Sequence, residues 1–167
     1  MTVIDLTREH RSLLAALQAQ REHVLQTLDG LSHEQLTTAR LPSGWTPLAV
    51  VRHLTVDVER FWFEHVVAGR EVDLPPDAEV WLADPGPRAV VEEAYREQAR
   101  RSDAVIGDRD LGSAPDRWDR VGFPGMGERD LRWVVLHVLT ETAVHAGQLD
   151  AARELVDGHQ HLVLTDL

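Results

Sequence analysis

Apolar residues return at helical spacing in four stretches of the chain. Over residues 8–28, Leu13, Leu14, Leu17, Val24, Leu25 and Leu28 fall on one side with Arg, Glu and Gln between them, which predicts an amphipathic helix. Thr7 stands at its N-cap position and Gly30 at its C-terminal stop. Ser32 and Gln35 have the spacing of a capping box on a short helical turn. Thr46 followed by Pro47 marks the start of a second long helix, whose stripe is Val51, Leu54, Val58, Phe61 and Trp62 and which runs to about Ala68, before Gly69. A third helix is predicted over residues 88–105. The fourth and longest starts near Arg129 and ends before Gly158, with Leu131, Val134, Val135, Val138 and Leu139 as core positions.

The stretches between these helices lack any period. Residues 70–87 contain Pro75, Pro76, Pro85, Gly86 and Pro87, and residues 107–127 are rich in Gly, Pro and Asp. Long connections of this kind are often functional. Trp81 and Trp118 lie in them and are placed to line a cleft, whereas Trp45, Trp62 and Trp133 are expected to pack. Arg120, Val121 and Phe123 are expected in a short extended piece, and the last nine residues as a partly ordered tail. Four amphipathic helices with little strand signal predict an all-α fold, an antiparallel four-helix bundle.

Composition narrows the function more than the fold. A chain of 167 residues with 43% hydrophobic and 27% charged residues is expected to form one soluble domain spanning 1–167. The net charge of −11 argues against nucleic acid and against anionic membrane surfaces. No apolar run reaches the roughly 20 residues of a membrane span, and the N-terminus has no signal-peptide pattern, so a cytoplasmic location is expected. There is no cysteine, hence no disulfide, thiolate ligand or Cys nucleophile. The basic residues are all Arg, which reads as coding bias.

Candidate chemistry gathers on the fourth helix. Glu141 and His145 stand four residues apart and so leave one face of it, with His137 a turn earlier. A carboxylate and two imidazoles on a hydrophobic helix are costly to bury unless paired or bound to something. Bundles build metal sites from such side chains on facing helices. At about 1.5 Å rise per residue His137 and His145 are roughly 12 Å apart along the axis, too far to share one ion. The choice is Glu141 with His145 or His137 with Glu141, joined by His53 from the second helix. Three protein ligands leave an open position, as in catalytic zinc sites, and the same set suits iron(II). The blander reading is that each His is a hydrogen-bonded core residue. Asp57, one turn after His53, has the spacing to orient that imidazole or to sit on the surface. Asp150, Arg153, Glu154 and Asp157 read as a solvated ion-pair cluster of small energetic value. No G-x-S-x-G, Gly-rich phosphate loop or HExxH is present, so hydrolase-triad, nucleotide and zinc-protease readings lack support.

The segments SGWTPLAVVRHLTVDVERFWF and LRWVVLHVLTETAVHAGQLDAARELVDG resemble the DinB-like superfamily, most closely its mini-circle-type branch grouped with the mycothiol transferases. The resemblance covers nearly the whole chain to Gly158. It implies an up-down-down-up four-helix bundle with a divalent metal between helices, bound by three His or, in the mycothiol-dependent maleylpyruvate isomerase relative, by two His and a Glu. Carried over by position, those ligands fall on His53, Glu141 and His145. Gln148 stands where the branch often has another His, a change expected to alter the ligand surroundings. The sequence has no counterpart of the isomerase's additional C-terminal domain, so isomerase activity is not implied.

The resemblance points to a metal-dependent thiol S-transferase that activates mycothiol, or a similar small thiol, for attack on an electrophilic substrate. Zn2+ is the first expectation for the metal, with Ni2+ or Fe2+ as alternatives. His137 is expected in the pocket wall or beside the ligands, and no general base is assigned. The alternative function is a metal- or ligand-binding stress protein without turnover. A homodimer is a further option.

Overall fold

A computed structural model describes residues 6–76, 84–122 and 127–161 of the chain. Helix α1 spans Arg8–Gln26, and the Thr7 hydroxyl caps it by accepting from the His10 amide at 3.2 Å. It stops earlier than its apolar repeat suggests. The Arg153 guanidinium donates to the carbonyls of Thr27 and Asp29 at 2.8 and 2.7 Å, so the turn that follows the helix has its carbonyls satisfied from the last helix of the chain. Gly30, at φ +78°, closes the turn that follows rather than the helix itself. Helix α2, His33–Thr37, carries the capping box between Ser32 and Gln35 with both hydrogen bonds formed.

Helix α3, Pro47–His53, begins at Thr46, whose hydroxyl accepts from the Ala49 amide. It runs without a break into a π-helical stretch, Leu54–Val67. Helical conformation to the neighbourhood of Ala68 matches the sequence pattern, but the widened i→i+5 winding does not follow from it. π turns are mostly single bulges, frequently at functional sites, and this one starts next to His53. At its end the Val67 and Val66 carbonyls accept from the amides of Asp116 and Arg117 at 3.1 and 3.0 Å. That close approach explains Gly69: a Cβ there would lie 3.1 Å from Cβ of Asp116, at a φ of +64°.

Helix α4 spans Arg88–Gly107, and α5 spans Leu131–Asp157 with the Asp130 carboxylate accepting from the Trp133 amide as its cap. Helix α1 packs along α5, α4 packs along the π stretch, α5 also meets the π stretch, and the α1–α4 side is the most open. Leu17 and Val24 of α1, Leu28 in the turn after it, Leu48 and Val51 of α3, Phe63 of the π stretch, Ile106 of α4 and Val134, Val135 and Val138 of α5 form the shared core. Each fully buried aliphatic or Phe side chain contributes about 1.5–3 kcal/mol relative to exposure. The fold is therefore all-helical, four long packed helical rods, with no strand among the described residues. None of the described helices is long and apolar enough to cross a membrane.

Two expectations change. Residues 118–120 form a 3-10 turn, Trp118–Arg120, rather than an extended piece. The Arg120 guanidinium holds that turn by donating to the carbonyls of His65 and Arg70 at 3.0 and 2.9 Å. Val121 alone is extended, while Phe123 lies outside the described residues, as do Trp81 and residues 162–167 of the expected tail. Nor is the Asp150–Asp157 segment a solvated cluster. Arg153 is only 9% exposed and bonds Asp157 as well as the end of α1, and Asp150 turns to His23 instead.

The interior also holds an ion network that no periodicity announced. Arg21 of α1 is 2% exposed and donates to both carboxylate oxygens of Glu59, at 2.7 and 2.9 Å, and to Asp103 at 2.7 Å. Glu59 is fully buried in the π stretch. Its two oxygens and the planar fork of Arg21 satisfy each other, the geometry a buried pair requires.

Candidate metal centre

Two helices meet at the candidate site. The Thr46–Pro47 cap fixes where α3 starts, and this places His53 at its last α-helical residue. Glu141 and His145 project from one face of α5. One ligand atom from each of His53, Glu141 and His145 lies within 4.8 Å of the other two, so the three could hold a metal ion. The imidazoles of His53 and His145 meet edge to face, with centroids 4.9 Å apart. Nε2 of His145 is 3.8 Å from the Glu141 carboxylate.

The remaining ring nitrogens are engaged on the outer side. Nδ1 of His53 is 2.8 Å from the Asp57 carboxylate, and Nδ1 of His145 is 2.9 Å from the Gln148 side-chain oxygen. Each acceptor draws the ring proton to Nδ1, which puts the in-plane lone pair on Nε2. A carboxylate or amide oxygen behind an imidazole is the usual companion of a metal-bound His, because it fixes tautomer and ring orientation. Burial, with the neighbouring His53, holds His145 below its ordinary pKa despite Gln148 and Glu141, which act in the other direction. His145 is therefore neutral at neutral pH, as a ligand must be.

Access is uneven around the site. The His145 side chain is 6% exposed and that of Glu141 40%, so the site opens to solvent past Glu141. Trp45 closes another side, with its ring 5.3 Å from that of His145 and 6.2 Å from that of His53. Its role as a wall for both imidazoles was not legible. The only signal was its position in the loop just before the Thr46 cap, and it was expected simply to pack.

His137 does not join the three. Its ring stacks on Trp133, 5.0 Å apart and 6° from parallel, and meets Trp62 edge-on at 4.7 Å. Trp118 packs against both of those indoles. Burial holds His137 below its ordinary pKa, with Glu141 opposing. This aromatic group forms a wall one turn along α5 from Glu141. A separate cavity of about 390 Å³ lies between α1 and α4, lined by Arg21, Tyr95 and Asp103 among others, and includes none of the three converging side chains.

A model of the mycothiol-S-transferase family (MST) matches residues 12–158. No curated protein matches the chain. The matched region runs from α1 through α5 and contains His53, Glu141 and His145, and the chain belongs to the mycothiol-S-transferase family, a DinB-like family.

Proposed function

We propose that this mycothiol-S-transferase family member moves the sulfur of mycothiol, or of a similar low-molecular-weight thiol, onto an electrophile at a divalent cation held by His53, Glu141 and His145. One observation carries the reading: both imidazoles have Nδ1 tied to an outer acceptor, Asp57 or Gln148, while their rings converge on one carboxylate. That donor set suits Zn2+, and also Fe2+ or Ni2+. When bound, such a cation makes a thiol on it a thiolate at neutral pH.

The chain's own residues do the rest. With no cysteine available, the sulfur must arrive on the cosubstrate, and the half-open side next to Glu141 admits it. The Glu141 carboxylate offsets one unit of cation charge. Asp57 and Gln148 hold the two rings in register, so little reorganisation accompanies binding. Trp45 keeps water from one side, which strengthens electrostatic attraction within the site. His137 and Trp133 offer a flat apolar wall against which an electrophile can rest. The sulfur, its proton released to solvent, bonds to the electrophilic carbon, and the electron pair of the bond broken there leaves with a leaving group or moves to the far end of a π bond.

The test combines elemental analysis with a conjugation assay using mycothiol and a generic electrophile. The expected result is one cation associated with these three residues and conjugation that disappears with it. Conjugation that persists after the cation has been removed would end the proposal. A retained cation without conjugation would leave a binding protein.

A further inference from the structure

A second group of imidazoles and carboxylate lies where α1 meets α5. His23 is in the last turn of α1, and its Nε2 sits between the two oxygens of Asp150, at 3.0 and 2.9 Å. Asp150 follows His145 by five residues, about 140° around the helix, and so faces α1 rather than α3. The third member comes from beyond α5. Gly158 adopts the left-handed conformation, φ 75° and ψ 5°, and caps the helix by donating to the Glu154 carbonyl. The chain then turns, with the His159 amide donating to Asp157 at 3.0 Å. This brings the ring of His161 onto that of His23, 3.7 Å between centroids and 17° from parallel.

One ligand atom from each of His23, Asp150 and His161 lies within 4.8 Å of the others. Each of the two imidazoles offers an in-plane lone pair as a neutral base. The neighbouring Asp150 carboxylate adds oxygen donors of the kind that cations also take. A single cation would satisfy all three once the two rings turn out of their stack, so that both in-plane lone pairs point at one position with donors at the roughly 2.0–2.2 Å of zinc–nitrogen and zinc–oxygen bonds. The His23 and Asp150 side chains are 17% and 26% exposed, so a cation can enter from solvent.

We propose that His23, Asp150 and His161 form a second divalent-cation site, suited to imidazole-seeking ions such as Zn2+, Ni2+ or Cu2+, which clasps the segment after α5 to α1. The site is independent of the thiol-transfer reading, because it shares no residue with the first.

The full chain carrying His53→Ala and His145→Ala removes the first site. After equilibrium dialysis against Zn2+ and elemental analysis, it is expected to retain one equivalent. Co2+ should give it a visible absorption band. Adding His161→Ala should remove both signals while helix content by circular dichroism stays constant, since His161 lies outside every helix. If the double variant does not fold, the unmodified chain decides instead: two equivalents of Zn2+ should fall to one with His161→Ala alone. A double variant that folds but binds no cation, or binding that His161→Ala leaves unchanged in either background, would overturn the proposal.

Discussion

Two polar assemblies are built into this apolar bundle, and they are resolved in opposite ways. Arg21, Glu59 and Asp103 bring a cation and two anions together, so donors meet acceptors and the group is closed on itself. His53, Glu141 and His145 bring two imidazoles and a carboxylate together, and all three offer lone pairs. The difference separates a cluster that holds helices together from one that is suited to hold something else. Charge balance, rather than burial, makes the distinction: Glu59 and His145 are both buried, yet only Glu59 has its opposite charge beside it.

The largest effect should come from breaking the open assembly. His145→Ala, or Glu141→Ala, is expected to abolish cation binding at that site and conjugation with it, while the far-ultraviolet circular dichroism spectrum stays helical. Removing the cation with a chelator should lower stability only by the binding linkage, about 2.7 kcal/mol at a concentration of 100 times Kd, and should leave the bundle folded. Unfolding of the metal-free chain would erase the contrast, since both assemblies would then be structural.

Breaking the closed assembly should do the converse. Arg21→Met leaves Glu59 buried without its partner and should cost about 3–5 kcal/mol in urea unfolding, with cation stoichiometry unchanged. The double variant Arg21→Met with Glu59→Leu should recover much of that loss, because a buried pair can often be replaced by apolar side chains at little cost. Failure of the double variant to recover would show that the pair contributes more than mutual neutralisation.

A smaller effect sharpens the description of the open site. Asp57→Ala and Gln148→Ala leave all three converging side chains in place but release the rings. Each is expected to weaken cation affinity about 10–100-fold, measured by competition with a chromophoric chelator. Unchanged affinity would mean the rings are oriented by packing against Trp45 alone.

The smallest effect is a pH dependence. His145 and His137 are held below their ordinary value of 6.5, chiefly by burial, so the unfolded chain binds these protons more tightly than the folded one. Their burial therefore destabilises the metal-free fold at acid pH, and stability should rise with pH up to and through about 6.5, then level off. Urea midpoints in chelator between pH 5 and 7.5 measure this, and His137→Gln should flatten the rise. A midpoint that falls over the same range would reverse the sign of the argument.

The features legible in advance were local ones. The caps at Thr7, Ser32 and Thr46 and the stop at Gly158 formed as their residue types require, because each depends on a hydrogen bond or backbone angle spanning a few residues. Helical spacing also brought out Glu141 and His145 as one-face neighbours and showed that His137 and His145 could not share one ion, but it left Glu141 free to pair with either. Other features depended on partners distant in the chain. The turn after α1 is tied down by Arg153, more than 120 residues away in sequence. The π winding after His53 is hidden because a stretch of fourteen residues buried around most of its circumference fits a period of 3.6 about as well as a longer one.

The amino-acid order alone thus determined four helical rods, most of their caps and a carboxylate with an imidazole a turn away on one of them, since all of these are set by contacts within a turn or two. Which imidazole of another rod would face that pair, that Trp45 would wall it, that Arg21 would find Glu59, and that His161 would return to His23 were decided by packing. Such contacts join residues dozens of positions apart, and their geometry exists only once the rods have buried their apolar sides against one another.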